Sequence, residues 1–176
     1  MEQFISGDAQ AFDALYARHR TGLHGFFRRM AGSRAAADDL LQVTFLHVVQ
    51  ARDRFDSRER FKPWLYAIAR NAARDYLRLA QHRELGGDAA EPPLATAVAP
   101  NATDESDPAQ AAALQKALAE LPEAYREAVV MHQLEGLSFP EIAKAVHSTP
   151  GAVKVRAHRG YQKLREALAK LRGGQR

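Results

Sequence analysis

The chain has 176 residues, of which 46% are hydrophobic and 26% charged, with no cysteine and a formal net charge of +4. The apolar content is ordinary for a folded protein. No apolar run is long enough to cross a membrane, and the lack of cysteine excludes disulfides and thiolate metal sites. The N-terminus, MEQFISGDAQAF, has no basic stretch ahead of an apolar core, so it does not read as a signal peptide, and a cytoplasmic location is expected. The charge is unevenly spread. Residues 1–83 carry a balance of +5, residues 84–109 a balance of −6 with no base at all, and residues 110–176 again +5. Two basic blocks around an acidic spacer suggest two modules that both approach a polyanion.

The first block reads as all helix. Asp8 is a candidate cap for a helix in which Phe12, Leu15, Tyr16, His19, Leu23, Phe26, Phe27 and Met30 keep a 3.6-residue period. Gly32 and Ser33 break it. A second helix is expected over about 35–51, with Leu40, Leu41, Phe45, Val48 and Val49 inward and Asp38 and Asp39 in its first turns, where the helix dipole favours acids. The charged stretch ARDRFDSRERFK follows. Pro63 then opens a third helix, with Trp64, Leu65, Ile68, Ala72 and Tyr76 inward and Arg70, Arg74 and Arg78 on other faces.

The spacer is rich in Gly, Pro, Ala and acids and has no sustained period, so residues 84–108 read as a flexible linker between modules at 4–83 and 109–172. Asp107 caps a helix opened by Pro108 and running through Leu114, Leu118 and Leu121. Pro122 starts the next, with Tyr125, Val129, Val130 and Leu134 apolar, and Gly136 ends it. Residues 138–165, SFPEIAKAVHSTPGAVKVRAHRGYQKLR, read as a helix-turn-helix. Ser138 and Glu141 form a capping box, and Ile142, Ala143 and Val146 give the short first helix an apolar face. His147 and Ser148 break the pattern. Thr149 can cap a second helix with Pro150 at its first position. Val153, Ala157, Tyr161, Leu164 and Leu168 should face inward, leaving Lys154, Arg156, Arg159, Lys163 and Arg165 outward. In a helix-turn-helix the second helix enters the major groove, so DNA binding is expected of this module. The chain shows no strand-like alternation and no repeat, and the expected fold is all-α with two small helical domains.

Three segments together carry a family resemblance: DDLLQVTFLHVV, then RFDSRERFKPWLYAIARNAARDYLR, then LPEAYREAVVMHQLEGLSFPEIAKAVHSTPGAVKVRAHRGYQKL. In this order and spacing the chain resembles an extracytoplasmic-function (ECF) sigma factor of bacterial RNA polymerase, over nearly all of residues 4–172 outside the linker. The resemblance implies region two and region four domains, core RNA polymerase and promoter DNA (duplex and single-stranded) as partners, and initiation by promoter recognition and strand melting. Relatives are commonly held inactive by an anti-sigma protein, so such a partner comes into consideration.

By resemblance, the helix of Asp38 to Phe45 binds polymerase, with Asp38, Asp39, Gln42 and Thr44 as the contacts and Asp39, Gln42 and Thr44 expected to be exposed. The melted strand would meet Arg54, Phe55, Ser57, Arg58, Phe61, Lys62, Asn71 and Arg74, since a single strand needs cations for phosphates and aromatics or pockets for unstacked bases. In relatives the loop before the Trp helix and the Asn of that helix form the pocket for a flipped base. Trp64 itself reads as core. The upstream element would be read by Thr149, Lys154, Val155, Arg156, His158 and Arg159, arginine and lysine being able to pair with guanine. The rival reading is a stand-alone helix-turn-helix regulator whose N-terminal helices dimerise or sense a ligand. Nothing supports a nucleophile–base pair, a P-loop or a metal site, so no catalytic residue, cofactor or metal is expected.

Overall fold

The computed structural model describes residues 1–84 and 108–173, and every regular element among them is helical. The expected linker lies, apart from its two end residues, outside the described residues, as does the Asp107 cap. In the N-terminal module, α1 spans Glu2–Ile5, α2 Ala9–Ala31, α3 Arg34–Gln50 and α4 Phe61–Glu84, with a 3-10 turn at Arg52–Arg54. The caps are those the residues call for. Asp8 accepts from the Gln10 and Ala11 amides at 2.9 and 3.3 Å, and Ser33 accepts from the Ala36 amide at 3.0 Å. Gly32 ends α2 at φ 80°, the left-handed conformation that glycine adopts without a Cβ penalty.

Leu23, Phe26, Phe27, Met30, Leu40, Leu41, Phe45, Val48 and Leu65 form the buried centre of this module. The expected inward face of α4 is displaced by part of a turn. Tyr66, Ala69 and Ala73 are buried with Leu65 and Ala72, while Trp64, Ile68 and Tyr76 are only half-buried against the core. The short helix α1 was not expected. It buries Phe4, whose ring lies 5.2 Å from that of Phe12.

The C-terminal module comprises α5 (Pro108–Ala119), α6 (Glu123–Val129) running on into a π turn (Val130–Leu134), α7 (Phe139–Ala145) and α8 (Pro150–Gly173). The capping box of Ser138 and Glu141 is formed in both directions, and the Ala152 amide donates to Thr149 Oγ1 at 3.2 Å. His147 takes the sharp turn between α7 and α8 at φ 51°. Leu134, expected on the apolar face, is instead 41% exposed. The π turn holds one more residue than an α turn and so rotates the residues at its end away from the preceding face.

Gly160 lets α8 press on α6. A Cβ there would lie 2.6 Å from Val129 Cγ2 and 3.1 Å from the Tyr125 carbonyl oxygen. Neither neighbour is the free end of a flexible chain. Gly160→Ala is therefore expected to destabilise the protein by about 1–2 kcal/mol, overpacking exceeding the gain in helix propensity. Urea titration followed by circular dichroism measures it. Gly151→Ala, on the same helix with open space around it, should show no such loss.

The two modules pack against each other and share one apolar cluster, in which Leu118, Leu121, Val129, Val130, Met131 and Ile142 join the residues of α2–α4. Across the join runs a polar seam. Lys62, Tyr66, Arg70 and Arg74 recur every four residues along one face of α4. Lys62 Nζ donates to the Glu135 carbonyl at 2.5 Å, and the Tyr66 hydroxyl donates to the Glu135 carboxylate. Arg70 Nε donates to Glu127 Oε1 at 2.9 Å, and Arg74 Nε lies 3.2 Å from Glu123 Oε1. Arg70, expected on an outward face, is thus only 9% exposed. Glu123 and Glu127 are one turn apart, but eight ideal α-helical steps would swing Glu135 roughly 80° away from Glu127. The π turn, closed by the Glu135 amide donating to the Val130 carbonyl at 3.2 Å, takes up that excess and returns Glu135 to the seam. Gly22 on α2 leaves room for it, since a Cβ there would lie 3.1 Å from the Tyr66 hydroxyl and 3.2 Å from Glu135 Oε2.

Candidate nucleic-acid and polymerase interface

On α8, Val153, Ala157 and Gly160 face inward and are buried. That fixes the opposite face. Thr149, Lys154, Val155, His158 and Arg159 are exposed, and Arg156 is half-buried. None of Lys154, Arg156, His158 and Arg159 is ion-paired among the described residues. Unpaired cations on a helix whose N-terminus is presented by a tight turn can reach both phosphates and base edges. Thr149 is committed as a cap through its oxygen, which leaves its hydroxyl proton for a partner.

The candidates for the melted strand fall into two places. Phe55 meets Phe61 and Trp64 edge-on, and Phe61 lies tilted against Trp64, ring centres being 5.1–6.1 Å apart. Together with Ser57, Glu59 and the start of α1, Phe55 and Phe61 line a shallow cavity of about 370 Å³. Arg54, Ser57 and Arg58 are exposed around it. Arg58 is tied to Asp56 by its Nε at 3.0 Å and by its second guanidinium nitrogen at 2.8 Å, which holds the Asp56 carboxyl below its usual range. Asn71 and Arg74 are elsewhere. They line a polar groove of about 450 Å³ with Arg78, and Glu123 of the C-terminal module stands in it. Ten residues of α4 separate Phe61 from Asn71, roughly 15 Å along the axis. The cavity at Phe55 and Phe61 and the groove at Asn71 and Arg74 share no lining residue. Lys62 is drawn to the seam, and burial, with Lys62 and Arg18 nearby, keeps the His19 imidazole below its usual pKa.

On α3 the polymerase candidates divide. Gln42 is exposed, and Asp38 and Asp39 are half-exposed, Asp38 Oδ1 lying 3.2 Å from His24 Nε2. Thr44, expected as an exposed contact, is completely buried, and its hydroxyl has no partner among the described residues. The reason is its phase, because it follows Leu40 and precedes Val48 at four-residue steps on the core side. Leu46 takes its place on the surface at 60% exposure, beside Val49 at 36%. Asp39, Gln42, Leu46 and Val49 fall within an arc of roughly 80° at 100° per residue, a phase relation readable from the sequence. Large apolar side chains beside carboxylates on one exposed face suit a protein partner. Among the described residues no group of three or more His, Asp or Glu converges on a metal, and no helix is long and apolar enough to cross a membrane.

The Sigma-70 region 2 family model matches residues 15–83, and the Sigma-70 region 4 model matches residues 111–164. The chain is 45% identical to RNA polymerase sigma factor CarQ of Myxococcus xanthus over 171 residues, 97% of each protein. It is 34% identical to ECF RNA polymerase sigma factor SigF of Caulobacter vibrioides, covering 96% of this chain and 92% of that one. Among solved structures it is similar to CnrH in complex with the cytosolic domain of CnrY, at 29% identity and a TM-score of 0.73 over 96% of this chain and 94% of the other. It is also similar to the sigma factor RpoE of Bartonella quintana in complex with the anti-sigma factor NepR, at 25% identity and a TM-score of 0.74 over 92% and 98%. With both regions present in order and the likeness running nearly end to end, the chain belongs to the extracytoplasmic-function family of RNA polymerase sigma factors.

Proposed function

We propose that the protein acts in the cytoplasm as a promoter-directing subunit of core RNA polymerase. The exposed face of α3 docks on the enzyme through Asp39, Gln42 and Leu46. The α8 face of Lys154, Val155, Arg156, His158 and Arg159 reads the upstream duplex element. The aromatic loop around Phe55, Ser57 and Phe61 holds a base of the melted strand, while Asn71 and Arg74 follow its backbone. The observation that carries this reading is the unpaired cationic face of α8, set by a capped helix-turn-helix in a chain that also has the region two module. That the CnrH and RpoE structures contain CnrY and NepR supports a regulator of the anti-sigma kind for this chain too. A division into modules at 4–83 and 109–172 belongs to this reading, and the family matches at 15–83 and 111–164 support it.

The test is run-off transcription with purified core enzyme on a library of genomic templates. Promoter-specific transcripts that depend on the added protein are expected. A stand-alone regulator would add none, and would not be retained by core polymerase after nuclease treatment.

A further inference from the structure

Val155 is the one large apolar side chain of α8 left exposed among the described residues, at 50%. Its place on the helix is central. Val153, Ala157 and Gly160 are buried, and at 100° per residue the direction opposite to them falls roughly 15° from Val155. His158 and Arg159 lie roughly 50° to either side of that direction, and both are exposed. Gly151, one turn earlier on the same face, has open space around it and puts no side chain between the backbone and whatever the face meets. The fold does not account for the valine. It stays outside the apolar cluster that joins the helices, and a β-branched residue is a poorer helix former than alanine or lysine.

We propose that Val155 reads the C5 methyl of one thymine in the upstream duplex and so sets the base required at that position. The inference rests on the assignment of the α8 face to that duplex. Among the groups that base pairs present in the major groove, the thymine methyl is the apolar one, and the others are hydrogen-bond donors or acceptors. A valine pressed against a donor or acceptor displaces its water and returns no hydrogen bond, which selects against the other bases. The valine side chain is stiff at χ1, so it has little freedom to lose on contact. The cations on its flanks attract the duplex through its phosphates, an attraction that carries no sequence information. The same cations favour a polyanion over a protein as the partner of this apolar spot.

The test uses the full-length protein on core polymerase and a pool of duplexes randomised over the upstream segment. Bound duplexes are recovered and sequenced. Thymine is expected to be required at one position of one strand. In the recovered duplex that thymine is then replaced by deoxyuridine, which removes the methyl and keeps the hydrogen-bonding groups. The parent protein should bind the uracil form about 3–8-fold more weakly. Val155→Ala should bind the two forms alike, and its own selection should relax at that position alone. This variant is expected to fold, since it loses an exposed side chain and gains helix propensity. A recovered sequence with no thymine that uracil weakens would overturn the proposal and leave the duplex-reading role of α8 standing. The same uracil penalty in the parent and in Val155→Ala would also overturn it, because the methyl would then act through another side chain or through DNA shape. Loss of core polymerase retention in Val155→Ala, with no change in base preference, would make Val155 a protein contact instead. A selection that enriches no upstream sequence would sink both this inference and the assignment of α8 to the upstream duplex.

Discussion

Arg70→Met is expected to cost about 3–5 kcal/mol at neutral pH, the largest loss from any single substitution in the seam. Arg70 and Glu127 are nearly enclosed, with side chains 11% and 4% exposed, and methionine leaves the Glu127 carboxylate buried with no counter-charge in contact. Arg74 and Glu123 also act on Glu127, with opposite signs, and neither replaces the lost bond. The penalty should depend on pH in a defined direction. Burial already pushes the Glu127 pKa above its ordinary value, with Arg70 opposing that rise. Removing Arg70 raises it further. A carboxyl whose pKa is raised in the packed state stabilises that state when protonated, and this contribution is lost as pH climbs through the raised value. The deficit of Arg70→Met relative to the parent should therefore shrink as pH falls from neutrality toward the ordinary carboxylate range. Urea titrations at pH 7.5 and pH 5 measure it. Arg70→Met combined with Glu127→Leu should recover most of the loss at both pH values, since an apolar pair leaves no stranded charge. A double variant as unstable as the single one would show that packing, and not the uncompensated charge, sets the cost.

Where a feature depends on neighbours a few residues apart, it could be read from the chain directly. The Ser138–Glu141 box, the Asp8 and Ser33–Gly32 boundaries and the turn before Thr149 are of this kind, and with them came the helix-turn-helix and its cationic face. Misreadings arose where residue type was weighed and helical phase was not. Thr44 looked like a surface contact because it is polar, yet its four-residue relation to Leu40 and Val48 puts it inside. Val49 looked like core because it is apolar, although it shares a face with Asp39 and Gln42 and is 36% exposed. Arg70 and Arg74 lie on an obvious basic helix, but charge does not say what it is paired with. Their partners lie roughly fifty residues away in sequence, and no local pattern couples them. The π turn was also illegible, and without it Glu135 would miss Tyr66. Helix α1 has only four residues, too few for a period to show.

Arg156→Ala and Asn71→Ala are expected to fail at different steps of initiation. Arg156 lies on the α8 face that presents the helix-turn-helix cations, and its loss should weaken recruitment to duplex promoters by about 1–3 kcal/mol, roughly 5–150-fold, in a sequence-dependent way. Binding of the isolated downstream single strand should stay nearly unchanged, because α8 takes no part in the α4 groove. Asn71 is exposed at that groove beside Arg74, on the other module. Asn71→Ala should spare upstream duplex binding and impair strand opening. A folding defect is not the expected cause for either variant, since alanine has better helix propensity than asparagine or arginine and neither native side chain is ion-paired among the described residues. Permanganate footprinting of the melted region, run beside duplex binding on both variants with core polymerase present, separates the two effects. The Asn71 variant should leave melted thymines unreactive on promoters it still occupies, and the Arg156 variant should lose occupancy and reactivity together while regaining both at higher protein concentration. If both substitutions lower duplex binding and strand opening in the same proportion, the two faces act as one composite DNA surface, and the division of labour between α4 and α8 is wrong.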